Sequence, residues 1–131
     1  MAENTRKTKT AWADLPEKGK RLAKYVPDYV VFDLETTGVS AVNDGIIEIS
    51  AIRAVKGEAV ETFSTLVNPE RSIPYDATRV NGITDEMVAD APKISAALRD
   101  FLDFAGTSVL VGHNIGSFDL NFICIAAERL F

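Results

Sequence analysis

The chain has 131 residues, 47% hydrophobic and 25% charged, and a net charge of −5. This is the size and composition of one globular domain, and it excludes collagen-like, disulfide-stapled and wholly disordered classes. No run of about 18 apolar residues is present, so no membrane-spanning helix is predicted. The polar, basic start Met1–Thr10 does not read as a secretory signal, and the single Cys124 cannot close an internal disulfide. Both point to a reducing, cytoplasmic setting. Residues 1–30 carry seven Lys/Arg against four acids, and the rest carry seven against fifteen. The expectation is a basic arm over 1–27, partly disordered with a short helix from Leu15 to Tyr25, followed by an acidic body over 28–131.

The β-branched and aromatic run Tyr29–Leu34 predicts a buried, central strand. Asn43-Asp44-Gly45 is a turn before a second strand, Ile46–Val55, and Lys56-Gly57-Glu58 a hairpin turn into a third, Ala59–Val67. Together they read as an antiparallel meander. Asp76–Val80 fits one helical turn, and Thr84-Asp85-Glu86 a helix N-cap with acids behind it. Pro92 opens a helix over Lys93–Phe104, with Ile94, Leu98, Phe101 and Leu102 on one face. Val109–His113 is a fourth, short strand, and Ser117–Leu130 a last amphipathic helix. Three strands followed by alternating helices and a strand give an α/β domain with a mixed sheet flanked by helices.

Alternation along the first strand puts Val31, Asp33 and Glu35 on one face and Val30, Phe32 and Leu34 on the other. Carboxylates two residues apart on a strand lie about 7 Å from each other. Asp-x-Glu alone is also met by two acids lying in solvent at a strand's end. Asp119, at the start of the last helix, adds a third acid. In open α/β sheets such strand ends converge on one crevice, and three converging carboxylates suit a two-metal site for phosphoryl chemistry.

The segment Val31-Phe32-Asp33-Leu34-Glu35-Thr36-Thr37-Gly38 resembles the first motif of the DEDD superfamily of 3′–5′ exonucleases. Gly112-His113-Asn114-Ile115-Gly116-Ser117-Phe118-Asp119 resembles the second. Between them Ile46-Ile47-Glu48-Ile49, Val67-Asn68-Pro69 and Asn81-Gly82-Ile83-Thr84-Asp85-Glu86-Met87 follow in the family's order. Within the superfamily the likeness is strongest to the proofreading exonucleases of bacterial DNA polymerase III, of the epsilon-subunit or PolC type. The resemblance implies a ribonuclease-H-like fold and hydrolysis of the terminal phosphodiester at a DNA 3′ end, releasing nucleoside monophosphates. It implies two divalent cations, Mg²⁺ or Mn²⁺, on Asp33, Glu35 and Asp119. Asp33 would bridge both ions, Glu35 would hold the attacking water, and Asp119 would serve the second ion. Leu34, Thr36, Thr37, Gly38, Val80, Asn81, Asn114 and Phe118 would form the binding surface for the terminal nucleotide, with open backbone N–H groups at 36–38 meeting phosphate or sugar. Asn81 stands where many relatives carry His.

The family's third motif, an Asp preceded by His or Tyr, has no match: twelve residues follow Asp119, and none is Asp, His or Tyr. The reading is therefore a domain lacking its C-terminal strand and helix, with self-association through the apolar surface they would cover. Glu128 reads as a solvated helix residue, His113 as a structural hydrogen-bonding residue, and Cys124 as a buried, inert thiol. The expected partner is a single-stranded DNA 3′ end, with a DNA polymerase subunit as a second. The alternatives are a non-catalytic relative that binds nucleic acid or a polymerase, and an exonuclease acting on RNA.

Overall fold

The computed structural model describes residues 26–112 and 118–131. The expected disorder and short helix of the N-terminal arm fall outside these residues, as do His113 and Asn114. Four strands, β1 (Tyr29–Thr36), β2 (Ile46–Val55), β3 (Glu58–Leu66) and β4 (Val109–Gly112), form one sheet in the order β3-β2-β1-β4. The first three make the expected meander. β4 lies parallel to β1, pairing Tyr29 with Val109 and Phe32 with Gly112. The sheet is mixed and open, flanked by helices, which is the ribonuclease-H-like arrangement. The helices are α1 (Tyr75–Asn81), α2 (Asp85–Val88), α3 (Ile94–Ala105) and α4 (Phe118–Leu130). None of the described helices is long and apolar enough to cross a membrane.

Alternation on β1 decides which face becomes core. Val30, Phe32 and Leu34 are buried with Ile49 and Ala51 of β2, beneath Ala97, Leu98 and Phe101 of α3 and Phe122 and Ile123 of α4. The Phe101 ring packs 5.4 Å from Phe32 and 6.1 Å from Phe63. The bonds from Arg53 fasten the far end of this layer. It donates to Glu61, to Ser108 Oγ and to the Phe104 carbonyl, and its guanidinium lies over the Phe104 ring. A second cluster, Ile47, Ile73, Ile83 and Val88, seats α1 and α2 beside the C-terminal end of β1.

The turns follow their local chemistry. Lys56 and Gly57 both take positive φ, 53° and 79°, as a tight two-residue hairpin requires. Thr84 caps α2 by accepting the Met87 N–H. Gly82 closes α1 at φ 77°, a left-handed position that glycine takes without a steric penalty.

The opposite face of the sheet carries Val31, Asp33 and Glu35, as alternation predicted. No described helix covers it: Ile52 and Val111, which flank Val31 across the sheet, remain 41% and 39% exposed. Cys124 departs from expectation, being half-buried rather than buried. It sits on α4 beside the face that holds Phe122 and Ile123, at the margin of the packed layer rather than within it.

Candidate active site

The candidate site lies along the last residues of β1, beyond the point where β4 ends opposite Phe32. Asp33 and Glu35 project from the last turns of β1's pleat. Phe32, next to Asp33, pairs with Gly112 at the end of β4. Gly112 in turn approaches α4 so closely that a Cβ there would lie 3.7 Å from the Asp119 Cβ. Asp119 is thereby placed beside the β1 terminus, fully buried, in the first turn of α4, where the helix N-terminus favours a negative charge.

The acids feel one another. The Glu35 carboxyl is held above the ordinary glutamate range, first by burial and then by the charges of Asp33, Glu48 and Asp119. Glu48 is raised as well, by burial and by Asp33. Glu48 is a residue the sequence reading did not place in the site. Its signal was present as the single acid inside Ile46-Ile47-Glu48-Ile49, but only the β1–β2 register sets it directly opposite Glu35. Among the described residues no three His, Cys, Asp or Glu side chains close into a finished metal-ligand cluster. An all-oxygen, all-anionic donor set at a strand end nevertheless fits a hard divalent cation.

These shifts carry a pH signature. A carboxyl whose folded pKa is raised stabilises the fold fully only below its unfolded pKa, and that contribution is lost as pH rises through the folded value. In the presence of a chelator, Glu35→Gln and Glu48→Gln should therefore each raise the melting temperature at neutral pH. The gain should shrink as pH falls into the ordinary carboxylate range. A gain that is flat with pH would remove the repulsion from the account.

Beside the acids lies a cavity of about 480 Å³, lined by Leu34, Glu35, Thr36, Thr37, Gly38, Val39, Pro74, Asp76, Ala77, Val80, Asn81 and Phe118. Seven of the eight residues expected to bind the terminal nucleotide line this one cavity, and the eighth, Asn114, lies outside the described residues. Val39, Pro74, Asp76 and Ala77 complete its lining. Val39 and Val80 stand 86% and 81% exposed at its walls, apolar surfaces open to a flat ring. Phe118 packs against Phe122 at 5.0 Å. The Asn81 side chain accepts the Ile83 N–H and so shapes the turn after α1.

Thr37 departs from the expectation of an open N–H group. Thr37 is 3% exposed, its N–H is bonded to the Gly45 carbonyl, and its hydroxyl donates to Asp44. Thr36 donates its hydroxyl to the Gly38 carbonyl. Both hydroxyl protons are spent in shaping the wall. Glu128 is exposed, as expected of a solvated helix residue.

The sequence profile of the exonuclease family named RNase T matches residues 30–131. The chain belongs to this exonuclease family. A PolC-type DNA polymerase III of Clostridium perfringens is 51% identical to the exonuclease domain over 96 residues, 73% of this chain and 7% of that protein. The PolC-type polymerase of Caldanaerobacter subterraneus is 46% identical over 112 residues, 86% of this chain and 8% of the relative. The chain thus spans less than a tenth of the length of these curated relatives. Among solved structures, Exonuclease I of E. coli in a complex with single-stranded DNA superposes with a TM-score of 0.71 at 18% identity, over 81% of this chain and 24% of that one. At that identity the likeness is one of fold. The exonuclease domain is thus of the DEDD type and related to the PolC-type enzymes, as the ordered motifs implied.

Proposed function

We propose that residues 28–131 form a 3′–5′ exonuclease domain that hydrolyses the terminal phosphodiester of single-stranded DNA and releases nucleoside monophosphates, in the manner of polymerase proofreading. The observation that carries this reading is the adjacency of the acids and the cavity: Glu35 belongs to both. A terminal nucleotide seated between Val39, Val80 and the 36–38 turn would present its scissile phosphate to Asp33, Glu35 and Asp119. These three carboxylates would hold two divalent cations, Mg²⁺ or Mn²⁺, which supply an activated water and charge stabilisation of the leaving oxygen. Asp33, on the strand between β2 and β4, would hold both ions. Glu35 faces the cavity and would orient the water. Buried Asp119 would fix the second position from α4. A hard anion-lined site needs the cations before it can receive a phosphate.

The test is a 5′-labelled single-stranded oligomer incubated with the full-length protein. Stepwise shortening from the 3′ end, mononucleotide products and complete arrest by EDTA are expected. Binding of the oligomer without shortening would favour a non-catalytic relative, and matched DNA and RNA oligomers assign the sugar preference. Isothermal titration with Mn²⁺ should show binding that Asp119→Asn weakens, since the variant keeps the side chain's shape and removes its charge. Undiminished binding in that variant would take Asp119 out of the ligand set.

The apolar row Ile52, Val31 and Val111, running beside Asp33 on the uncovered face, supports a polypeptide contact there, from a polymerase subunit or a second copy of the chain.

A further inference from the structure

The nucleotide-facing wall Thr36–Val39 runs from the last residue of β1 into the 37–45 loop before β2, and one side chain behind that wall holds it. Asp44 Oδ1 accepts the Thr37 hydroxyl at 3.1 Å, and Oδ2 accepts the Ser40 N–H at 3.0 Å. The Asp44 N–H returns to the Ser40 carbonyl at 2.7 Å. Thr37 Oγ1 in turn accepts the Gly45 N–H at 3.0 Å, so a chain of bonds runs from Gly45 through Thr37 to the carboxylate. Gly38 lies flat against the same carboxylate: a Cβ there would fall 2.5 Å from Oδ2 and 2.6 Å from Cγ. Asp44 itself is absent from the nucleotide cavity and lines a separate one with Ala41, Gly45, Ile46 and Phe122. Arg71 and Arg129 pin only the outer loop, through the carbonyls of Asn43 and Val42.

We infer that Asp44 is a positioning residue for the 3′-terminal nucleotide, acting through Thr37 and Gly38 rather than by touching substrate. This rests on the exonuclease reading above. The glycine of the first motif is required, on this view, because the Asp44 carboxylate occupies the space a side chain would take. Removing the carboxylate releases the Thr37 hydroxyl and the Ser40 N–H, and the wall loses its reference point. Misplacement of bound substrate by about 1 Å can lower a rate about 100-fold.

The experiment is a double-mutant cycle in the full-length protein, read as kcat/KM on single-stranded DNA beside Mn²⁺ affinity. Asp44→Ala and Gly38→Ala should each lower kcat/KM by about 10- to 100-fold with Mn²⁺ affinity unchanged, because Asp33 and Glu35 are set by β1. Asp44→Asn, which keeps an acceptor for Thr37 and loses the one for Ser40, should fall between. The double variant should be no worse than Asp44→Ala, since the three atoms nearest to a methyl at position 38 all belong to the carboxylate that Asp44→Ala removes. Additive losses, or Asp44→Ala and Asp44→Asn at wild-type kcat/KM, would overturn the inference while leaving the exonuclease reading intact. Absence of 3′-directed hydrolysis in the wild type would overturn both. Should Asp44→Ala fail to fold, the single variants Asp44→Asn and Gly38→Ala are compared directly, and wild-type kcat/KM in both would overturn the inference.

Discussion

Asp33→Ala in the full-length protein is expected to lower kcat by about a thousandfold or more while leaving the melting temperature of the chelated protein unchanged or higher. The two halves of that expectation have separate causes. Charge stabilisation by bound cations supplies several kcal/mol to phosphoryl chemistry, and each 1.36 kcal/mol is about a factor of ten in rate. Asp33 holds the central place: it is on the strand between β2 and β4, and its charge reaches both Glu35 and Glu48. Deleting it would, on the proposed function, remove a carboxylate that holds the cations and, without metal, removes a repulsive neighbour from two raised carboxyls. Loss of activity together with a large fall in melting temperature would mean that Asp33 supports the fold rather than the chemistry. Retained mononucleotide release would remove it from the site altogether.

Phe101→Ala should be the most damaging substitution outside the site, by about 3–5 kcal/mol, or more than about 10 °C in melting temperature. Its side chain is fully buried, and its ring touches both the central strand, through Phe32, and the edge strand, through Phe63. Removing it leaves a void under the middle of the sheet that neither α3 nor α4 fills without moving the other. Chemical denaturation should show the loss as a lower midpoint with the slope unchanged. Phe101→Leu, which keeps most of the volume, should recover much of it. A loss below about 1 kcal/mol would show that the layer closes over the gap.

Much of this architecture was legible in the residues because their local signals agreed. The second strand, Ile46–Val55, matches its prediction end to end, since a turn stands on either side of an apolar run. The faces of β1 followed from alternation alone. The parts that were not legible depend on how distant segments pair. The bulge between Glu35 and Thr36 and the register that sets Glu48 opposite Glu35 are properties of two strands together. The Asp44–Gly38 contact is likewise invisible in Asn43-Asp44-Gly45, which reads only as a turn. Leu34 illustrates a further limit. It is 4% exposed and core-facing, yet it also lines the cavity beside the acids, so a core position and a cavity wall are not alternatives at that residue. Thr36 and Thr37 line the cavity, but which way their hydroxyls point was settled by the loop's own bonds.

The parallel pairing of β1 with β4 has a consequence for the order of folding. The β1–β2–β3 meander is built from near-neighbour hairpins, which form quickly, whereas Tyr29 meets Val109 only after the whole intervening chain has been drawn in. Loop closure of that length is a late event. Asp33 and Glu35 are on the early part and Asp119 is carried in by the late one. A chain halted before β4 docks therefore has only two of its three candidate metal ligands in place, so the proposed ligand set is completed in the last step of folding and not before.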